Sequence, residues 1–489
     1  MNTPLRRLAT VVTVLFALLF GAGTYVQFVR ASWLDARPGN ARTLYKNFGR
    51  ERQPIILAGR QIAVSKAVDD AYTYQRSYPD GPLYSAVTGY YSIVYGATGI
   101  EAAEGSLLSG TADQLFVRRI QDLLTGKPAQ GATVELTIQP KAQQAAWDAL
   151  GDQRGAVVAL DPRTGDILAM VSKPAYDPNR LASHDTAAVK KAYTALNDDE
   201  GRPLENRAIA SRLYPPGSTF KLITAAAALE SGDYELDTEV DGPAQLTLPQ
   251  TKTTLPNDFS GACSPSGKIT LKDALRISCN TAFGSVGMAL GGEALREQAT
   301  KFGFGQPLKM PLTVTPSQFP ENPSPAQVAQ SAIGQFDVRV SPLQMAMVSA
   351  AIANRGIVMK PRLVNRILAA DLTVMSRPQT EELGRAVSTG TAEKLTDMME
   401  AVVSSGTGTR AQLDGVRVAG KTGTAEQGKD AQGRKRPPNA WFTAFAPADD
   451  PQVAVAVIVE DGGTLGDEAS GGRVAAPIAK KVMEAVISQ

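Results

Sequence analysis

Ser218 and Lys221 stand three residues apart in LYPPGSTFKLITAAAALE, residues 213–230. Pro215, Pro216 and Gly217 cannot continue a helix cleanly, whereas the Ala-rich run after them favours one. Ser218 is therefore expected at or near a helix N-terminus, where unpaired N–H groups and the helix dipole favour developing negative charge. Lys221 shares that face. A serine beside a lysine of lowered pKa is a nucleophile–base pair that needs no histidine. Taken alone, the pair is more often an N-cap beside an exposed lysine. Sixty residues on, LKDALRI leads into Ile277-Ser278-Cys279-Asn280-Thr281. In a non-helical turn Ser278 and Asn280 would face one cleft, offering a hydroxyl to relay a proton and an amide to hold a carbonyl. A third segment, VRVAGKTGTAE over 416–426, reads as a strand in which Val416 and Val418 alternate before Lys421, Thr422, Gly423 and Thr424. Gly423 would leave a strand edge bare, open to an extended peptide. Lys421 adds a charge that lowers a neighbouring lysine's pKa and attracts a carboxylate, to which Thr422 and Thr424 offer hydroxyls.

Composition narrows the alternatives. Lys and Arg number 50 against 48 Asp and Glu, a net charge of +2, too balanced for a chain that wraps nucleic acid. One histidine, His184, and two cysteines cannot make a four-ligand structural zinc site, and a histidine-based triad would have to run through His184 alone. No metal or cofactor is expected. His184 lies in a polar loop and takes no role.

The three segments, in this order, are the SxxK, SxN and KTG set, and the C-terminal region resembles the penicillin-recognising serine transpeptidases. Wider text resembles the class B, monofunctional penicillin-binding proteins, the actinobacterial members above all. It comprises GAVVALDPRTGDILAMVSKPAYDPN (155–179), NRAIASRLYPPGSTFK (206–221), SPLQMAMVSAAIANRG after Gly334-Gln335, and GTGTRAQ (406–412). The likeness is strong over about residues 130–489 and loose before. It implies an acylated Ser218 with Lys221 as its general base. Ser278 would pass a proton to the leaving D-alanine, Asn280 would bind the substrate amide, and Lys421 would tune the electrostatics. Thr422 and Thr424 would hold the terminal carboxylate beside Gly423, and the N–H groups of Ser218 and Thr424 would form the oxyanion hole. The implied reaction cross-links peptidoglycan stem peptides through a serine ester, with β-lactams as covalent inhibitors. A SEDS-family membrane glycosyltransferase is the implied partner. Two departures stand out. The Arg-Gly-x-Ile-type opening of the N-terminal domain is blurred to Gln53-Pro54-Ile55-Ile56 after Arg52, and Cys279 sits inside SxN.

Other readings share parts of this pattern. A bifunctional enzyme lacks room, with about 120 residues between the apolar N-terminal run and Gly151. A β-lactamase needs a water-activating base, and Glu426 reads as structural instead. A D,D-carboxypeptidase differs only in its acceptor. An idle scaffold or β-lactam sensor would be expected to have lost Ser218 or Lys221.

The elements that must position these residues start with an anchor. Leu8–Val29 is 22 uncharged residues, about 33 Å as a helix and enough to span a bilayer core. Arg6 and Arg7 put the N-terminus, residues 1–7, in the cytoplasm and the catalytic region outside. A cleaved signal peptide is the competing reading, but the run exceeds the usual h-region. In an oxidising compartment Cys263 and Cys279 could pair, closing a loop of about 17 residues for ~3 kcal/mol, or remain thiols.

Residues 30–150 read as a small membrane-proximal pedestal, dimerisation-like and of mixed α/β content. Its features are a Pro38-Gly39-Asn40 turn, strands at 55–57 and 61–64, tyrosines read as packing, and helical spacing over 113–124. A strand at 133–139 and a helix from Pro140 to Ala149 follow. Residues 151–489 read as an α+β, β-lactamase-like domain with helices flanking an antiparallel sheet. Hairpins 155–160/167–172 and 439–446/453–459 bring its two ends together mid-sheet, and a helix closes the chain at 475–487. The stretch 428–438 reads as a mobile, solvated connection.

Overall fold

A computed structural model describes residues 2–30, 48–116, 130–209, 212–430 and 432–488, together with 33, 120 and 124. The expected turn at Pro38-Gly39-Asn40 lies outside these residues, as does half of the helix expected over 113–124, of which Asp113–Leu115 forms a 3₁₀ turn. Residues 1–51 and 65–75 form one unit and residues 52–64 and 76–489 a second. In the first, helix Asn2–Thr24 runs on through a π turn, Tyr25–Val29, and every described side chain from Thr3 to Arg30 is exposed. An apolar helix bare on all sides suits a hydrocarbon core, which asks only that backbone bonds close internally. Among the described residues it is the one helix long and apolar enough to span a membrane.

The second unit is built on a five-stranded antiparallel sheet in the order Ala419–Ala425, Asn439–Ala446, Val453–Val459, Gly155–Leu160, Ile167–Lys173. The first and last stretches of this fold meet mid-sheet, where Val457 pairs with Val157. Both faces are buried, so strand periodicity of two divides the side chains between two cores. Val157, Ala159, Val455 and Val457 pack with helices Pro140–Leu150 and Ala476–Ile487. Ala156, Val158, Ala456 and Ile458 pack with helix Pro342–Ala353. Helix Pro140–Leu150 thus packs on the five-stranded sheet, ahead of the boundary read near Gly151. The strand expected from Val416 begins instead at Ala419. Leu413 and Val416 close a turn over Gly415, whose positive φ of 72° takes these residues out of the sheet.

The pedestal shares a second sheet with the catalytic body. Strand Thr133–Leu136 lies between Ile55–Leu57, to which it is parallel, and Val364–Leu368, to which it is antiparallel. Arg52, in the blurred motif, is buried and bonds Glu101 through Nη2 at 2.8 Å, while Arg76 Nε reaches the other carboxylate oxygen at 2.6 Å. Burial alone would raise the Glu101 pKa, but the two guanidinium groups outweigh it and hold it below the usual value. Tyr78, Tyr84 and Tyr90 are buried, and Tyr95 stacks on Tyr193 at 3.8 Å, so these tyrosines pack. Asn179 exchanges two 2.8 Å hydrogen bonds with the Tyr78 backbone and clamps pedestal to body.

Glu101→Gln should lower stability by about 3–5 kcal/mol, since it strands two buried guanidinium groups. Arg60→Ala, which breaks the exposed Arg60–Asp80 pair, should cost less than about 1 kcal/mol. Denaturant unfolding of the two variants measures both. Because the Glu101 pKa is lowered in the folded state, its contribution is present above the usual carboxylate range and is lost as pH falls below it.

Candidate active site

Pro215 and Pro216 deliver the chain into a 3₁₀ turn, Gly217–Phe220, that opens helix Lys221–Ser231, and Ser218 sits in that turn at 5% exposure. Close backbone approach locks the turn. Gly217 has φ +53° and donates its N–H to Gly334 O at 3.0 Å, and a Cβ on Gly334 (φ +75°) would fall 2.0 Å from Gly217 O. Trp441 Nε1 donates to Pro215 O at 3.0 Å. On the sheet edge, a Cβ on Gly423 would lie 3.0 Å from each of Pro216 O, Thr219 Cγ2 and Trp441 Cβ. On this face the chain's own nucleophile turn takes the place of a Gly423 side chain, while Ala419–Ala425 remains the edge strand of its sheet.

The SxN turn meets this surface from the opposite side. Ser278 has φ +61°, a left-handed conformation that breaks the chain between helix Leu271–Arg276 and helix Asn280–Lys301. Asn280 is the first residue of the second helix and so lies outside the non-helical turn. Lys221 Nζ donates to Ser278 O at 2.7 Å, Ser278 Oγ at 3.2 Å and Asn280 Oδ1 at 2.7 Å, which occupies its three donors. Lys421 Nζ donates to the same Ser278 Oγ at 2.9 Å and to Thr422 O at 2.8 Å. Both lysines are fully buried. Burial lowers the Lys221 pKa to about 7, and burial followed by the Lys221 charge pushes Lys421 well below its usual value. Among the described residues no hydrogen bond joins Ser218 Oγ to Lys221 Nζ. Catalytic hydrogen bonds are often long before substrate binds.

Ser218, Asn280 and Thr424 line one cleft of about 870 Å³. Thr422 Oγ1 is 2.6 Å from Thr407 Oγ1, a partner on the GTGTRAQ segment. Cys263 and Cys279 form a disulfide with Cα atoms 6.0 Å apart, fastening the SxN turn to the loop after strand Thr254–Pro256. That loop brings Asn257 and Asp258, which no motif singles out, against Asn280. The sequence signal for them was indirect: a Cys263–Cys279 pair would carry the residues just before Cys263 to the SxN turn.

The stretch 428–438, read as a mobile, solvated connection, is exposed over most of its described residues and carries surface ion pairs. Asp430 accepts Arg434 Nε at 2.8 Å, Lys435 pairs with Glu426 at 2.8 Å, and Arg436 pairs with Asp461 at 3.3 Å. Glu426 also lines the cleft, while His184, in the bend before helix Thr186–Asn197, does not. Among the described residues no group of His, Cys, Asp and Glu could hold a metal ion.

This architecture has known counterparts. Residues 155–484 match the penicillin binding protein transpeptidase domain and residues 52–134 the penicillin binding protein A dimerisation domain. The chain is 45% identical to the peptidoglycan D,D-transpeptidase PbpA of Mycolicibacterium smegmatis over 495 residues, covering 100% of both. It is 42% identical to the protein of that name from Mycobacterium tuberculosis over 496 residues, covering 100% of this chain and 99% of the relative. The crystal structure of penicillin-binding protein A from M. tuberculosis as a penicillin G acyl-enzyme superposes with a TM-score of 0.84. It is 42% identical in sequence, over 90% of this chain and all of the other.

The glycine packing makes a stability prediction. Gly334→Ala must displace Gly217 O and hold a side chain at positive φ, for a loss of at least about 2 kcal/mol. Gly390→Ala, in helix Thr389–Ser405 with nothing within 4 Å, should be neutral or stabilise by up to about 1 kcal/mol. Thermal unfolding of the two variants measures the contrast.

Proposed function

The chain belongs to the penicillin-binding protein transpeptidase family and is a peptidoglycan D,D-transpeptidase, and we propose that Ser218 is the nucleophile of its acyl-enzyme. One observation carries the assignment: Lys221, three residues from Ser218, is fully buried with a pKa near 7, a base half neutral at ordinary pH. Neutral Lys221 takes the Ser218 Oγ proton as the oxygen attacks the penultimate D-alanine carbonyl of a stem peptide. The N–H groups of Ser218 and Thr424 hold the oxyanion, at about 3–4 kcal/mol per donor. The C–N bond to the terminal D-alanine then breaks, and the proton passes from Lys221 through Ser278 Oγ to the leaving amine. An amine of a second stem attacks the ester, forms the cross-link and returns Ser218 to its hydroxyl form.

Lys421 supports the relay through its Nζ, which donates to the Ser278 hydroxyl and orients it. Thr422 and Thr424, beside Gly423, bind the terminal carboxylate. Asn280 binds the substrate amide; in the free enzyme its Nδ2 donates to Pro256 O and Asp258 Oδ1. β-Lactams acylate the same serine as slow substrates. The apolar helix fits a single-pass anchor, and Arg6 and Arg7 before it support an N-terminus inside with the catalytic body outside. A SEDS-family glycosyltransferase meeting the helix and pedestal completes the reading, on family resemblance.

A fluorescent penicillin should label the full-length protein in detergent, fail on Ser218→Ala, and leave an adduct that decays over hours; decay within seconds would mean β-lactamase chemistry. The acylation rate should fall about tenfold per pH unit below pH 7 as Lys221 gains its proton, and a flat profile there would remove Lys221 as the base. In cells, photo-crosslinkers in helix Asn2–Thr24 should capture a multi-span glycosyltransferase, and protease should reach residues beyond the helix only from outside. Digestion from the cytoplasmic side alone, or capture of no such partner, would reverse the topology or remove the partner.

A further inference from the structure

Asp258 has no part in the three motifs. It sits on the loop between strand Thr254–Pro256 and Cys263, at the rim of the cleft lined by Ser218, Asn280 and Thr424. The loop is held at two points. Asn257 Oδ1 accepts the backbone N–H groups of Asn280 at 3.0 Å and Thr281 at 3.1 Å, while its Nδ2 donates to Pro243 O at 3.2 Å and Gly261 O at 3.1 Å. The disulfide fastens the far end to Cys279, between Ser278 and Asn280. Asp258 is thereby delivered to the Asn280 side chain. Asn280 Nδ2 donates to Asp258 Oδ1 at 3.0 Å and to Pro256 O at 3.1 Å, and its Oδ1 accepts from Lys221 Nζ at 2.7 Å. Reversed, the amide would set N–H groups against an ammonium and its oxygen against a carboxylate and a carbonyl. Lys221, Pro256 O and Asp258 thus favour the same orientation, with Asp258 the one acidic side chain among them.

We propose that Asp258 is a positioning residue for acylation: it holds the Asn280 amide with its oxygen on Lys221 and keeps a negative charge beside the two buried lysines. This rests on the acylation reading above. Among the described residues the charged group acting on Lys221 is Asp258, while Lys421, from strand Ala419–Ala425, feels both Asp258 and the Lys221 charge. Burial lowers the proton affinity of both lysines, and Asp258 opposes it at each; Lys435, another cleft residue, also feels its charge. With the carboxylate gone, burial acts on Lys221 unopposed, and the base sheds its proton at lower pH.

The test is the second-order rate of acylation of the full-length protein by a fluorescent penicillin, followed from about pH 5.5 to 9, because this rate reports groups of the free enzyme. Asp258→Asn keeps an oxygen acceptor for Asn280 and loses the charge. Its acid limb should move down by about half a pH unit, the size of one solvent-screened charge, with a near wild-type plateau. Asp258→Ala should show the same displacement and a lower plateau, because the amide loses one of the three partners that hold it. Asp258→Glu should restore the limb. A limb unmoved in Asp258→Asn overturns the proposal whatever the plateau does, since a merely structural residue would slow the reaction without moving its pH dependence. Asp258→Asn decides alone if the alanine variant does not fold. Wild type and Ser218→Ala run in parallel; labelling that survives in Ser218→Ala would sink the acylation reading separately from this one.

Discussion

Two lysine side chains share one serine hydroxyl in a volume closed to water. Lys221 and Lys421 are both fully buried, and both reach Ser278 Oγ, at 3.2 and 2.9 Å. Each charge is costly to bury alone, and two like charges a few ångströms apart repel further, so the site resists holding both. The low proton affinity of Lys221 follows from burial, and that of Lys421 from burial and the Lys221 charge. The same desolvation that strains the site is what frees an amine to act as a base near neutral pH.

Such a site needs rigid walls, because water entering it would restore the lysines to their ordinary state. One wall is the sheet, whose strands pack two cores at once through the alternation of their side chains. A second is the nucleophile turn, pressed against Gly334 and Gly423 at backbone distance. A third is the SxN turn, held by the disulfide and by Asn257. Glu460, after strand Val453–Val459, braces the lead-in to the nucleophile turn. It pairs with buried Arg207 at 2.8 Å and accepts the Tyr214 hydroxyl at 2.7 Å, just upstream of Pro215. The Tyr214 ring in turn meets Trp441 edge-on, at 6.2 Å.

The pedestal obeys the same rule with a different solution. Glu101 is buried between two arginines, and there the charges are kept because they are of opposite sign and hydrogen-bonded. Strand Thr133–Leu136, paired on both sides, makes pedestal and catalytic body partners in one sheet.

Local chemistry determined a good deal. The hairpins at 155–173 and 439–459 were legible because continuous apolar runs broken by Pro and Gly can hardly be anything else. The apolar helix was legible over Leu8–Val29 from its length and lack of charge, though it begins earlier, at Asn2, and the three motifs from their residue types and order. Boundaries that depend on packing were not legible. The strand at Ala419 starts late because Gly415 folds its lead-in back, and helix Pro140–Leu150 packs on the five-stranded sheet with a partner, Ala476–Ile487, from the other end of the chain. Nor does any local pattern mark Asn257 and Asp258, which become part of the site only through Cys263 and Cys279. Residue types and spacing determined which groups could react. Tertiary structure alone decided their protonation and orientation, because desolvation and like-charge repulsion exist only once distant segments have closed around them.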